Sequence, residues 1–358
     1  MGRYLIVLLL AFTTLACQEL VSTFQRDRRA TPLPTTGDWS RYDGNPVLRV
    51  PNDRAIVADP VIFFDSSMRR YRIWFGHVAA HPRGVPGARI GYGDSTDGFR
   101  WENFRWEIVP LGRRDAWDER HVETPHVIFD EQERDPAKRY KMWYSGLSWK
   151  TVYQIGYATS PDGLRWQKLR REQSPSGQEG LVVALQPGEI AVSDPTVLRR
   201  ERTYHMWFSM MTDRGSGGLD GGIGYATSKD GVRWTRHPNN PVVSGSGWDA
   251  QWGVGGYPGI PYVLWNGSMY ELWYNAGLYK GEGPADPSKQ TLGYATSEDG
   301  VTWKKLDRPI LTPDPSRSYE AQGWMPGPAV IYQGSRTLLY YPTMANDRVS
   351  LSVAIRQK

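Results

Sequence analysis

The chain has 358 residues, a formal net charge of +5 and one cysteine. This charge is small for the length and the basic residues are scattered, which excludes the basic stripe typical of a nucleic-acid-binding protein. The 16 Trp, 20 Tyr, 38 Gly and 26 Pro instead indicate many short strands joined by turns, and hence an all-β protein.

The N-terminal residues have the pattern of a secretory signal peptide. Arg3 precedes an apolar run over 4–12, too short to span a bilayer as a helix, and Leu15-Ala16 lead to Cys17. This lone cysteine has no disulfide partner, and its position resembles that of the lipidated cysteine in bacterial lipoproteins. We predict a signal peptide over 1–16, lipidation of Cys17 and a flexible tether over 17–37. The alternative is an ordinary signal peptide with an incidental cysteine.

Three phrases recur along the rest of the chain. A Gly-Tyr…Ser-x-Asp-Gly-x-x-Trp phrase occupies 91–101, 156–166, 224–234 and 293–303, and successive copies start between 65 and 69 residues apart. An aromatic strand precedes each copy, and an apolar strand that opens with proline precedes that. Asp-Gly is a strong hairpin signal, so each repeat predicts four antiparallel strands, which make one blade of a propeller.

A fifth blade is divided between the two ends of the chain. Residues 328–331, 338–341 and 350–355 supply three strands, and 39–48 match 234–243 in the spacing of their residues. We therefore predict that the N-terminal strand pairs with 350–355, which closes the ring and leaves no unpaired edge. The predicted fold is a five-bladed β-propeller over 38–358.

Acidic residues stand where the first, axis-lining strand of three predicted blades begins. Aligned on a shared proline, these starts are Asp59-Pro60, Glu123-Thr124-Pro125 and Asp194-Pro195, whereas the other blades have Ile260-Pro261 and Gly327-Pro328. Three carboxylates at equivalent positions around one axis repel one another and shift their pKa values, which is typical of catalytic sites. The alternative is that each acidic residue only caps the start of its strand.

Aromatic and charged residues in loops near the axis are candidate walls of a sugar-binding pocket. Aromatic faces stack on sugar rings, and charged groups bond hydroxyls; the candidates are Trp117, Arg120, His121, Trp252 and Trp324. Packing between blades is the alternative role. His77 and His81 have no spaced partners for a metal site, so we predict no metal and regard them as surface or packing residues. The repeated Asp97, Asp162, Asp230 and Asp299 resemble a shortened sialidase Asp box, and we give them a structural role.

These features resemble the catalytic propellers of glycoside hydrolase families 43 and 32 and, more distantly, the family 130 mannoside phosphorylases. The resemblance covers nearly all of 38–358. In family 43 an Asp-Pro in the first blade is the general base, an Asp in the second tunes pKa values, and a Glu-x-Pro in the third is the general acid. The resemblance implies that Asp59 is the base and Glu123 the acid, with Asp194 as pKa modulator or sugar ligand. In this chain the order is Asp, Glu, Asp, and an exchange of the roles of Asp59 and Asp194 stays open.

The leading hypothesis is therefore a glycoside hydrolase, acting without a cofactor on the ends of carbohydrate chains. A phosphorylase is the nearest alternative, with Arg54 and Arg120 as candidates for the phosphate site. A non-catalytic glycan-binding propeller is the alternative from another class. We expect an exported monomer that is anchored to the bacterial cell envelope and contacts the membrane only through its lipid.

Overall fold

Five antiparallel sheets form the five blades of the predicted propeller. The structure, a computed structural model, describes residues 38–49, 56–79, 86–213, 219–246, 249, 257–277, 290–323 and 325–357. The predicted signal peptide, the tether and Cys17 therefore lie outside the described residues. None of the helices within these ranges approaches the length and hydropathy of a membrane-spanning segment.

The first two blades follow each other along the chain, with the innermost strand first. Blade one contains β2 Val57–Asp65, β3 Arg70–Ala79, β4 Gly87–Ser95 and β5 Glu102–Arg105. Blade two contains β6 His121–Phe129, β7 Tyr140–Leu147, β8 Gln154–Ser160 and β9 Gln167–Lys168, and β10 Leu181–Val183 also pairs with β8. Short 3-10 helices occupy Pro136–Lys138 and Arg171–Gln173.

Blades three and four repeat this order. Blade three contains β11 Glu189–Arg200, β12 Thr203–Asp213, β13 Leu219–Ser228 and β14 Thr235–Arg236, with β15 Val243–Ser244 on β13. Blade four contains β16 Tyr257–Trp265, β17 Tyr270–Gly277, β18 Thr291–Ser297 and β19 Lys304–Lys305. The outermost strands of blades two, three and four are short, with two residues each.

Blade five confirms the predicted closure of the ring. It contains β20 Ala329–Gln333, β21 Arg336–Ala345 and β22 Arg348–Gln357, and its fourth strand is β1 Ser40–Arg41 from the other end of the chain. Ser40 pairs with Ile355 in antiparallel register. The side-chain amide of Asn45 continues the pairing, since it accepts from the Val353 N–H at 2.8 Å and donates to the Val353 carbonyl at 2.9 Å.

The repeated Asp-Gly turns are structural, as the sequence indicates. In the first of them, Asp97 Oδ1 accepts the N–H groups of Phe99 and Arg100 at 2.7 and 2.8 Å. Gly98 has a φ of 82°, a conformation that favours glycine. Backbone donors of this kind favour an ionised carboxylate, and against the opposing effect of burial they lower the pKa of the equivalent Asp162 to about 2.

In blades one, two and three, a tryptophan of the aromatic strand ties the blade to the turn of the next. The indole N–H groups of Trp74, Trp143 and Trp207 donate to the carbonyls of Gly163, Gly231 and Gly300 at 2.8–2.9 Å. All three rings are fully buried. The blades are therefore joined by directional hydrogen bonds as well as by packed apolar faces.

Candidate active site

A β-bulge interrupts the innermost strand where the predicted carboxylates stand. In blade one, Ala58 pairs with Gly76 and Val61 pairs with Trp74. Between these two pairs, β2 therefore has one residue more than β3. Blades two, three and four have the same register shift. The residue before proline in each bulge has a φ between 46° and 52°; these residues are Asp59, Thr124, Asp194 and Ile260. Such values are costly for Thr and Ile, so the surrounding contacts impose them.

The register corrects one detail of the sequence analysis. Asp59 and Asp194 occupy the bulge position, whereas the equivalent residue of blade two is Thr124 and not Glu123. Glu123 lies one residue earlier and pairs with Ser145. The three acidic residues therefore do not stand at equivalent positions, because alignment on proline alone ignores the residue between Glu123 and Pro125.

Small polar side chains of the middle strands hold the bulges from the neighbouring blade. Ser145 Oγ accepts the Asp194 N–H at 2.8 Å and bonds the Thr124 hydroxyl. In the next blade, Ser209 Oγ accepts the Ile260 N–H, also at 2.8 Å. The serine of the Trp-Tyr-Ser and Trp-Phe-Ser phrases thus satisfies a backbone donor that the bulge removes from its own sheet.

The carboxyl of Asp59 has the least compensated surroundings of the three. Its Oδ1 is buried and has no hydrogen-bond partner among the described residues. Burial raises the pKa of Asp59 well above its usual range, and the charges of Asp194 and Glu123 raise it further. Gly327 leaves the space that this side chain needs, since a methyl group there would lie 2.6 Å from Asp59 Oδ1.

Asp194 lies in the same pocket but receives several hydrogen bonds. The Ser193 hydroxyl donates to its Oδ2 at 2.8 Å, and Ser209 and Thr124 also bond the carboxyl. Burial and the charge of Glu123 raise the pKa of Asp194, while these hydroxyls oppose the rise. The lone pairs of Asp194 are therefore largely used by the protein, in contrast to those of Asp59.

Glu123 is positioned by two side chains that contact one of its oxygens. Its Oε1 accepts the hydroxyl of Tyr153 and lies 3.1 Å from His121 Nδ1. Burial and then the charges of Glu123, Asp194 and Asp59 raise the pKa of Tyr153, so its hydroxyl remains a donor. The charges of all three acidic residues act on this one hydroxyl, so Asp59, Glu123 and Asp194 lie close together. We call the region that they surround the pocket.

A cationic side chain with an unused donor lies next in sequence to this cluster. The Arg120 guanidinium carbon lies 4.6 Å from the centre of the Trp149 ring, and its buried Nε has no hydrogen-bond partner among the described residues. The Nε2 atom of His121 is also buried and has no hydrogen-bond partner among the described residues. Buried polar atoms without partners are rare in folded proteins, so these atoms and Asp59 Oδ1 are candidate positions for contact with a polar ligand.

The other predicted site residues have different outcomes. Trp117 is only 2% exposed, stacks on Tyr144 and donates its indole N–H to the Glu179 carbonyl at 2.9 Å. It therefore has the packing role that the sequence left open. His77 is likewise buried, against Trp106. The remaining candidates lie outside the described residues: Trp252, Trp324, Arg54 and His81.

A layer of side chains closes the axis beneath the carboxylates. The Tyr262 hydroxyl of blade four reaches the Ile62 carbonyl of blade one at 3.5 Å, and its ring centre is 6.0 Å from that of His126 in blade two. Neither partner is in an adjacent blade, so both contacts cross the axis. Burial lowers the pKa of His126 to about 4, so this layer is uncharged near neutral pH. The pocket therefore ends at a closed floor.

The sequence analysis missed Tyr153 and Trp149. Both lie between β7 and β8, in a segment 148–153 that belongs to none of the repeated phrases. The available signal was this departure from the repeat, because a residue with a purely architectural role would recur in other blades. The described residues hold no group of three or more His, Cys, Asp or Glu side chains arranged to bind a metal ion.

Comparison with known sequences finds two proteins of Mycobacterium tuberculosis, each 30% identical to this chain over about half of its length. No protein-family model matches the chain. A protein of Mycobacterium tuberculosis named "Uncharacterized protein Rv1502" is 30% identical over 180 residues, which is 47% of this chain and 50% of that protein. The chain thus spans about half the length of the curated relatives it matches.

Comparison with solved structures identifies the fold. A structure described as "Glycoside hydrolase" superposes with a TM-score of 0.68 at 15% identity and covers 92% of each chain. A thermostable family-43 glycoside hydrolase gives 0.62 at 17%, covering 87% of this chain and 91% of its own. A β-1,2-mannobiose phosphorylase from Listeria innocua gives 0.59 at 14%, covering 89% and 97%. The chain therefore shares its five-bladed propeller fold with glycoside hydrolases and with a mannobiose phosphorylase.

Proposed function

We propose that the protein is a glycoside hydrolase that removes sugars from the ends of carbohydrate chains. The observation that carries this proposal is the convergence of three acidic residues on one closed pocket, with a buried carboxylate oxygen that has no partner among the described residues; the residues are Asp59, Glu123 and Asp194. Glycosidic cleavage needs one carboxyl that donates a proton and one carboxylate that acts on water or on the sugar.

Glu123 is the proposed general acid. Tyr153 and His121 occupy its Oε1, which leaves Oε2 to carry a proton toward the glycosidic oxygen. A side chain held at one oxygen keeps the other in a fixed direction, which proton transfer to a leaving group requires. The bond between the anomeric carbon and that oxygen then breaks, and the leaving sugar departs as an alcohol.

Asp59 is the proposed base and Asp194 the residue that tunes it. Asp59 Oδ1 is free of protein donors among the described residues, so it can accept the proton of the attacking water. The negative charge of Asp194 contributes to the raised pKa of Asp59, which brings a carboxylate base closer to the working pH. The three donors around Asp194 make it the less suitable base, which favours this assignment over the exchanged one.

A phosphorylase is the second candidate, and Arg120 favours it. Its buried Nε has no hydrogen-bond partner among the described residues, and its neighbour His121 bonds the proposed acid. An arginine with unused donors suits a phosphate oxygen as well as a sugar hydroxyl. In that reaction inorganic phosphate would replace water as the group that attacks the anomeric carbon.

A screen of aryl glycosides and oligosaccharides, with and without inorganic phosphate, tests the proposal. We expect turnover by the wild-type protein without phosphate and release of single sugars from chain ends. Glu123→Gln keeps the side-chain size but cannot donate the proton, so turnover of natural glycosides should fall by about 10²–10⁴. Aryl glycosides with good leaving groups need little protonation and should be affected least.

The exposed Glu172→Gln is the matched control, because it makes the same chemical change on a side chain far from the repeated bulges. If turnover requires phosphate, the reaction is phosphorolysis and the proposal of hydrolysis is wrong. Sugar binding without any turnover would instead make the protein a glycan-binding propeller. Wild-type rates for Glu123→Gln on every substrate would show that Glu123 is not the acid.

A further inference from the structure

Aromatic side chains recur at the opposite end of the innermost strands from the carboxylates. The position four residues after the shared proline holds an aromatic residue in four blades and an arginine in blade three: Phe64, Phe129, Trp265, Tyr332 and Arg199. Phe64 is 50% exposed, Phe129 42% and Tyr332 39%, and Met68 in the adjoining hairpin is 48% exposed. We name Phe64, Met68, Phe129 and Tyr332 the aromatic face. Four of the five large apolar side chains most exposed among the described residues are in this set.

The aromatic face and the carboxylate pocket are on opposite sides of the propeller. β2 begins near Asp59 and ends at Asp65, so Phe64 lies about 17 Å further along the strand. The innermost strands of blades two and five run in the same sense, which brings Phe129 and Tyr332 to the same side. A surface that covered the aromatic face would therefore leave the pocket accessible.

The chain enters the propeller on the side of the aromatic face. β22 ends there, since Gln357 pairs with Arg336 in the hairpin that follows β20. β1 runs antiparallel to β22 from Ser40 onward, and Asp38 pairs with Arg356 at 3.4 Å. The predicted lipidated Cys17 precedes this entry point by the residues of the tether alone.

We propose that the aromatic face rests on the lipid bilayer in which the lipid on Cys17 is anchored, so that the carboxylate pocket faces away from the membrane. This inference rests on the predicted lipidation and not on the proposed hydrolysis, and it replaces the expectation that only the lipid contacts the membrane. Exposed phenylalanine rings such as those of Phe64 and Phe129 are favoured at the membrane–water interface, whereas the Tyr332 hydroxyl is bonded to Glu271 and offers only its ring.

The tether alone does not select an orientation. A flexible segment of the length of 18–37 has a root-mean-square span of about 25 Å, comparable with the propeller itself. The anchored domain could therefore present any side to the bilayer unless one surface binds it. The aromatic face gives the membrane a preferred side, and because the anchor holds the domain near the lipid, weak binding by a few side chains is sufficient.

Site-specific labelling of the full-length lipoprotein in lipid vesicles tests this orientation. Lipidation leaves the mature chain without a free thiol, so a single introduced cysteine reports one position. Ser66→Cys lies in the exposed hairpin next to the aromatic face, and the matched Ser318→Cys is exposed in the segment before blade five, on the pocket side. Each is labelled with a bulky maleimide, and its rate is normalised to that of the urea-denatured chain.

We expect the normalised rate at Ser66→Cys to be at least about tenfold lower than at Ser318→Cys, the ratio that 1.4 kcal/mol of docking free energy gives. Adding Phe64→Glu and Phe129→Glu should bring the two rates together without lowering the melting temperature, since both side chains are exposed. Equal rates at both positions in vesicle-bound protein would overturn the proposal. Protection that grows with the protein-to-lipid ratio would assign the face to a second copy, and protein that stays in the supernatant would contradict the lipid anchor itself.

Discussion

Asp59 differs from the other acidic residues of the pocket in what surrounds its carboxyl. Asp194 receives hydroxyl donors and Glu123 is bonded by Tyr153, whereas Asp59 Oδ1 has no such partner among the described residues. Its positive φ also holds the side chain at the bulge. A buried and uncompensated carboxylate destabilises the folded protein, and such groups are kept where chemistry needs them.

The pH dependence of activity should report the coupling between Asp59 and Asp194. As a base Asp59 must be ionised, so activity should fall as the pH falls through its raised pKa. Asp194→Asn removes one of the negative charges that raise this pKa, although the larger effect of burial remains. We expect the acidic limb of the kcat/KM profile to move to lower pH. An unchanged limb would show that Asp59 is not the group that titrates there.

Asp59 should make the folded protein less stable as the pH rises, whereas an ordinary salt-bridged aspartate makes it more stable. A folded-state pKa above the unfolded value of about 3.9 means that stability is lost as the pH rises from that value through the folded pKa. Asp59→Asn carries no charge and tolerates the same positive φ. We expect it to raise the melting temperature at pH 7 by about 2 °C or more and to have little effect near pH 3.5. Equal destabilisation at both pH values would contradict this account of Asp59.

At the scale of the strand, the sequence predicts the tryptophan contacts better than it predicts the bulges. The repeated phrases predicted the strands, the turns and the packing role of the tryptophans, because each depends on local residue types. The bulges were not predicted: proline disfavours a helical residue before it but gives no sign of a positive φ, and Thr124 and Ile260 resist that conformation. Contacts from the neighbouring blade decide it, and these are not visible in the sequence.

The tryptophan hydrogen bond between blades two and three can be measured. Trp143 donates its indole N–H to the Gly231 carbonyl of the next blade at 2.9 Å, and its ring is fully buried. Trp143→Phe keeps a buried aromatic ring but removes this donor. We expect the variant to cost at least about 1 kcal/mol in the free energy of unfolding, the contribution of one such hydrogen bond. A smaller cost in denaturant titrations would show that packing alone joins the blades.

At the scale of the whole molecule, the ring is closed by contacts between the two ends of the chain. Closure then depends on short pairing between β1 and β22, on Asn45, and on the Arg41–Glu320 ion pair, whose closest atoms are 2.7 Å apart. The repeat spacing was sufficient to predict this closure, although Tyr153 and the closed floor needed the structure.

Asn45 and Asn240 offer a matched test of the seam. Asn240 bonds the backbone of Tyr225 through both polar atoms of its amide, as Asn45 bonds Val353. Only the contact between Asn45 and Val353 joins the two ends of the chain. We expect Asn45→Ala to accelerate amide exchange at Val353 by at least about tenfold through local opening of blade five, and Asn240→Ala to leave it unchanged. Identical exchange in the two variants would mean that the seam opens only with global unfolding.

The layer of Tyr262 and His126 beneath the carboxylates has a kinetic consequence. Because contacts cross the axis there, a sugar released in the proposed hydrolysis has no exit through the propeller and must leave by the mouth through which the proposed substrate enters. The next chain end can then enter only after the product has left. A monosaccharide product should accordingly act as a competitive inhibitor, and turnover should slow as product accumulates even while substrate is abundant.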